Sequence, residues 1–134
     1  MKYLSLIITT LFAVGCTSLA HGHDPEEMAD LASQLKDISA AVDGTLKFSA
    51  EDFPDSQALL LAALDNDTSR LVPFQHYKLT IAVQNDNAVL LLCEDDVALI
   101  EDAGCTAKSD MQHWQAAEAK SCEFTLDTEH ICRN

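Results

Sequence analysis

The stretch 76-HYKLTIAVQNDNAVLLLCEDDVALI-100 decides the fold. Tyr77, Leu79, Ile81 and Val83 alternate with Lys78, Thr80 and Ala82, the period of two that marks a half-buried strand. Asn85-Asp86-Asn87 follows as a turn cluster, since Asn and Asp tolerate the left-handed backbone of a tight reversal. Ala88–Cys93 is apolar at every position, as in a strand buried on both faces. The two runs make a hairpin. Glu94-Asp95-Asp96 supplies a second reversal and Val97–Ile100 a third strand, a meander that the turn residues Asp102-Ala103-Gly104 close.

Upstream the period lengthens. Met28, Leu31, Leu35, Ile38 and Val42 recur at steps of three and four, one apolar helical stripe. Asp24 caps its start, Pro25 fits the first turn, and Glu26 and Glu27 suit the positive end of the helix dipole. Gly44 is the expected stop. A second helix is expected over Phe53–Leu64, rich in Ala and Leu, and Asn66-Asp67-Thr68-Ser69 breaks the chain after it. Pro73 biases Val72 toward an extended backbone. Downstream, Ser109 is placed to cap a short helix over residues 110–120, and Cys122–Leu126 alternates as an edge strand would. The fold class expected is α+β: N-terminal helices packed on a small antiparallel β-hairpin or meander, stapled by disulfides.

Residues 1–20 read as a cleaved export signal, leaving residues 21–134 as one small acidic domain. Lys2 gives the positive start, and Tyr3–Val14 is an apolar run shorter than the ~20 residues that span a bilayer. Ser18-Leu19-Ala20 is a small-x-small cleavage site that frees His21. Gly15-Cys16 is the competing site, because it resembles a bacterial lipobox; Ala13 departs from that pattern. Lipidation of Cys16 makes the product a membrane-anchored lipoprotein. The expected location is the periplasm or the medium.

That location decides how the cysteines are read. Of five, Cys16 leaves with the leader under the first cut, and Cys93, Cys105, Cys122 and Cys132 remain. An even number in an exported chain reads as two disulfides. Three pairings exist, and Cys93–Cys105 with Cys122–Cys132 is favoured for closing the shortest loops. With no C-x-x-C and no zinc-ligand spacing, a redox dithiol or zinc site is disfavoured.

Eight Lys and Arg stand against 22 Asp and Glu, for a net charge of −14. Nucleic acid and anionic lipid both need a basic footprint, so both are excluded as expected partners. The charge attracts a cationic partner or metal cations, and it also serves solubility through self-repulsion.

Catalytic signals are absent. There is no G-x-S-x-G, and no spacing singles out a Ser, His and Asp set. Asp65-Asn66-Asp67 opens like an EF-hand loop, but Arg70 stands where glycine is required and His76 where a bidentate Glu is required. His76, His113 and His130 each stand alone and read as ordinary amphipathic residues. Glu94-Asp95-Asp96 and Glu101-Asp102 read as solvated turn clusters in preference to a weak Ca²⁺ site. The one metal pattern depends on cleavage after Ala20. A chain starting His21-Gly22-His23 offers a free amine, two deprotonable amides and the His23 imidazole, a square-planar set suited to Cu(II) or Ni(II). The leading expectation is a non-enzymatic accessory or binding protein with an unidentified protein partner in the cell envelope, acting near the hairpin. Copper or nickel handling through His21 and His23 is the alternative, and an enzyme ranks third.

Overall fold

The computed structural model describes residues 22–133; residues 1–20, read above as an export signal and including Cys16, and His21 lie outside them. Helix α1 (Pro25–Phe48) starts as expected, with the Asp24 carboxylate accepting the Glu26 N–H at 2.8 Å and Pro25 in the first turn. Its stripe of Met28, Leu31, Leu35, Ile38 and Val42 is buried. The helix does not stop at Gly44 but continues for another turn, to a cap at Ser49. Leu46 explains the extension: it lies four residues beyond Val42 and packs on the same core. That contact offsets the ~1 kcal/mol a mid-helix glycine costs relative to Ala.

Helix α2 (Ser56–Ala63) is shorter than the sequence suggested, because Asp55 caps it by accepting the Ala58 N–H at 2.8 Å, which leaves Phe53 and Pro54 outside. Asp65 and Asn66 take left-handed φ values of 52° and 61°, and the Asn66 N–H returns to the Leu61 carbonyl at 2.8 Å. This closes the helix end without glycine. A 3-10 segment, Thr68–Phe74, then includes Val72, which was expected to be extended. The influence of a following proline is a bias, and the buried Phe74 anchors the compact form.

Three antiparallel strands follow in the order β1 (Lys78–Gln84), β2 (Asn87–Glu94), β3 (Val97–Ala103). The first turn has two residues, Asn85 and Asp86, with φ of 51° and 61°. Positive φ at both is the twist-compatible hairpin reversal. β2 is buried from Asn87 to Cys93, as its unbroken apolar run implied. Ala88, Leu90, Leu92 and Ile100 meet α1 and α2, while Leu91, Cys93 and Ala98 meet Cys122 and Phe124 on the other face. The helices therefore cover one face and the C-terminal segment covers the other.

That segment departs most from expectation. The helix over 110–120 is reduced to a 3-10 turn at His113–Gln115, and Cys122–Leu126 forms no strand. Ser109 does not cap; its hydroxyl donates to the Ala103 carbonyl at 3.0 Å. Met111 instead exchanges backbone hydrogen bonds with Glu101 (3.0 and 2.7 Å), and the Ala98 N–H reaches the Lys120 carbonyl at 2.9 Å. A chain stretched along β3 in this way cannot also coil into a helix. A short helix, α3 (Thr128–Ile131), ends the strap.

The disulfides are Cys93–Cys122 and Cys105–Cys132, which corrects the local pairing Cys93–Cys105 and Cys122–Cys132. The reason is geometric. Cys93 pairs across from Ala98, and Cys105 lies seven residues further along. At ~3.3 Å per residue that is more than 20 Å, far beyond the roughly 7 Å limit for bridged Cα atoms. Each bond instead ties the sheet layer to the strap. Beyond β3, Gly104 is also not simple turn punctuation: a Cβ there would sit 2.1 Å from the Ser39 carbonyl, so only glycine admits α1 this close.

Candidate functional site

Three loops meet at one end of the molecule. The C-terminal turn of α1, the connection 49–55 and the β1–β2 turn enclose an open cleft of about 500 Å³. Leu46, Phe53, Leu59 and Val83 supply its apolar surface. Glu51, Asp52, Asp55 and Asp86 stand around it, and Val83 is half exposed. Local rules place each group. Pro54 and the Asp55 cap hold the connection out of the helix, presenting Glu51 and Asp52 to solvent, and the left-handed turn holds Asp86 opposite. Asp55 is engaged as a cap, which leaves Glu51, Asp52 and Asp86 as the other carboxylates lining the cleft.

The remaining carboxylates of interest are interior. Glu101 and Asp102 are almost fully buried, contrary to their reading as a solvated turn. Glu101 Oε1 accepts the N–H groups of Thr125 and Leu126, both at 2.7 Å; its Oε2 takes the Thr125 hydroxyl at 2.7 Å and lies 2.9 Å from His113 Nε2. A buried charge is tolerable only with this degree of satisfaction. Asp102 accepts from Lys36 Nζ at 2.8 Å and from the Ser39 hydroxyl. Burial works against the Lys36 charge, but the Asp102 hydrogen bond and the charges of Asp102 and Asp110 prevail and hold its amine above the usual lysine value. Asp43 accepts the Ala88 N–H at 3.0 Å and Lys47 Nζ at 2.6 Å. These three carboxylates fasten α1, sheet and strap together. None of the three lines the acidic cleft. For Glu101 and Asp102 the sequence carried one signal, their place directly after the apolar run Val97–Ile100, and the adjacent turn-like residues Ala103-Gly104 masked it; Asp43 on α1 carried none.

Of the histidines, His113 is buried against Glu101, so the lone-residue reading missed its partner. His130 is exposed and contacts Asp127, whose carboxyl that contact holds below the usual range. His23 packs back on the sheet, its side chain 13% exposed, with Nε2 3.1 Å from the Glu94 carboxylate. His21, the other proposed metal ligand, lies outside the described residues. Among the described residues no group of three or more His, Cys, Asp or Glu is arranged to hold a metal ion, and no helix is long and apolar enough to cross a membrane. No family model, curated protein or solved structure matches the chain.

Proposed function

We propose that this protein is an extracytoplasmic, non-enzymatic binding module that holds a cationic segment of a partner protein in the cleft between α1, α2 and the β1–β2 turn. The observation that carries the reading is the convergence of Glu51, Asp52 and Asp86 around an apolar patch that includes Phe53 and Val83. Apolar contact supplies affinity and the carboxylates supply choice of partner and rate of encounter. Two disulfides suit an oxidising compartment, which agrees with the leader-like residues 1–20. The test is titration with a lysine-rich peptide, followed by backbone NMR shifts. Shifts confined to residues 46–59 and 83–86, weakened by salt and lost in Glu51→Lys/Asp52→Lys, support the reading. Shifts spread evenly over the acidic surface remove it.

A second reading keeps Cu(II) or Ni(II) at His21 and His23, and His23 with Glu94 favours it. In a chelate built from the backbone amides, the six-membered ring through the third residue closes on Nδ1. The nitrogen in contact with Glu94 is Nε2, so Nδ1 is left for the metal. A carboxylate on the second ring nitrogen fixes the tautomer and raises ligand basicity. Glu94→Gln should then weaken Cu(II) binding about 10- to 100-fold. A mature N-terminus other than His21, found by N-terminal sequencing, ends this reading.

A further inference from the structure

The sheet has two edges, and the backbone of one remains available. Gln84 and Asn87 flank a two-residue turn, so Gln84, Ala82, Thr80 and Lys78 exchange hydrogen bonds with β2. The intervening residues Leu79, Ile81 and Val83 direct their N–H and C=O groups away from β2. The Ser56 hydroxyl confirms that direction, since it reaches the Ile81 carbonyl from α2 at a long 3.5 Å. Among the described residues no backbone–backbone hydrogen bond beyond the β1–β2 ladder involves Leu79, Ile81 or Val83. Between α2 and this edge runs a groove of about 340 Å³, lined by Ser56, Gln57, Leu60, Leu79 and Ile81. Ser56 also lines the acidic cleft, so groove and cleft adjoin at that residue.

An edge of this kind is a template for another strand, and proteins blunt it with charge, proline or a bulge. Here Lys78 stands at the first position, and Leu79–Gln84 contains no charge, no proline and no register shift. We propose that the partner segment binds by strand addition: an extended peptide pairs with Leu79, Ile81 and Val83, and its basic end lies beside Asp86 in the acidic cleft. Alternate apolar side chains of the peptide enter the groove under α2 next to Leu79 and Ile81. A peptide amide takes over the Ile81 carbonyl from Ser56. The occupant is a basic protein segment because the groove adjoins, at Ser56, the cleft lined by Glu51, Asp52 and Asp86. This inference deepens the binding reading above and rests on it.

The probes are two synthetic peptides, a Val-Thr-Val-Thr-Val run with three lysines at its N-terminal or its C-terminal end, each titrated into the protein. The first matches an antiparallel added strand and the second a parallel one. Amide hydrogen exchange gives the readout. In the free protein Thr80 and Ala82 should exchange slowly, and Leu79, Ile81 and Val83 fast. With one of the peptides at saturation, the latter three should slow about tenfold or more. N-methylation of alternate peptide amides should weaken binding about tenfold or more while leaving the side chains intact. Val83→Pro removes an outward N–H at a half-exposed position and no β1–β2 hydrogen bond. It should weaken binding similarly, with thermal unfolding checked to show that the variant folds. Binding that responds to Glu51→Lys/Asp52→Lys but brings no new protection at Leu79, Ile81 and Val83 overturns strand addition and leaves the acidic-cleft reading standing. Failure of both peptides and of a lysine-rich peptide to bind at low salt overturns both.

Discussion

Along β3, the outward-facing backbone of Ala98 and Glu101 is paired with Lys120 and Met111; along β1, that of Leu79, Ile81 and Val83 meets, among the described residues, only the hydroxyl of Ser56. The β3 edge is closed by the C-terminal strap, which two disulfides and the buried Glu101 carboxylate hold in place. The β1 edge is bordered by a groove and an acidic cleft. The difference separates two tasks. A small domain needs staples to stay folded, and both of its staples lie on the strap side. On the opposite side, among the described residues, the outward backbone groups of β1 have no backbone partner, and it is there that the proposed segment would add.

That contrast can be broken most severely at Glu101. Glu101→Ala strands two backbone N–H groups, the Thr125 hydroxyl and His113, and should cost about 3–5 kcal/mol in urea unfolding. An equal loss for Glu129→Ala, an exposed acid on α3, would show that the clamp has no special weight.

Opening one disulfide comes next. Cys93→Ser/Cys122→Ser releases a loop spanning 29 positions and should cost roughly 3.5 kcal/mol by the loop-entropy estimate. Hydrogen exchange should then accelerate at Ala98 and Glu101, whereas Thr80 and Ala82 hold their protection. Uniform loss across the sheet would mean that the strap and sheet unfold as one unit.

A smaller effect is expected at alkaline pH. Lys36 has a raised pKa in the folded state, so its contribution is complete below the ordinary lysine value of about 10.4 and fades as pH rises through the folded value. Thermal unfolding between pH 9 and 11.5 should show a loss that is reduced in Lys36→Met. Smallest of all, Thr80→Lys on the strap-side face of β1 should change stability by about 0.5 kcal/mol or less. A larger change would mean that the β1 side is more tightly integrated than its half-exposed side chains indicate.

Much of the framework was legible in the sequence because it rests on short-range rules. The Asp24 cap and apolar stripe gave α1, and alternation with two turn clusters gave the meander. Where neighbours in space outweighed neighbours in sequence, the reading failed. Gly44 reads locally as a helix stop, yet Leu46 finds core beyond it. Ser109 looked like a cap, yet Met111 pairs with Glu101. Glu101 and Asp102 looked solvated, yet Thr125, Leu126, Lys36 and Ser39 surround them. The acidic cleft was not legible in the sequence, since Glu51 and Asp86 are 35 positions apart and nothing local joins them.

The amino-acid order alone determined that the chain makes one long capped helix and a three-stranded meander, because periodicity, capping and turn chemistry act within a few residues. Only the tertiary structure decided which cysteines join, which carboxylates are buried and which sheet edge stays open. Those outcomes depend on where an extended β3 carries the chain before it returns, a distance of more than 20 Å that no local pattern encodes.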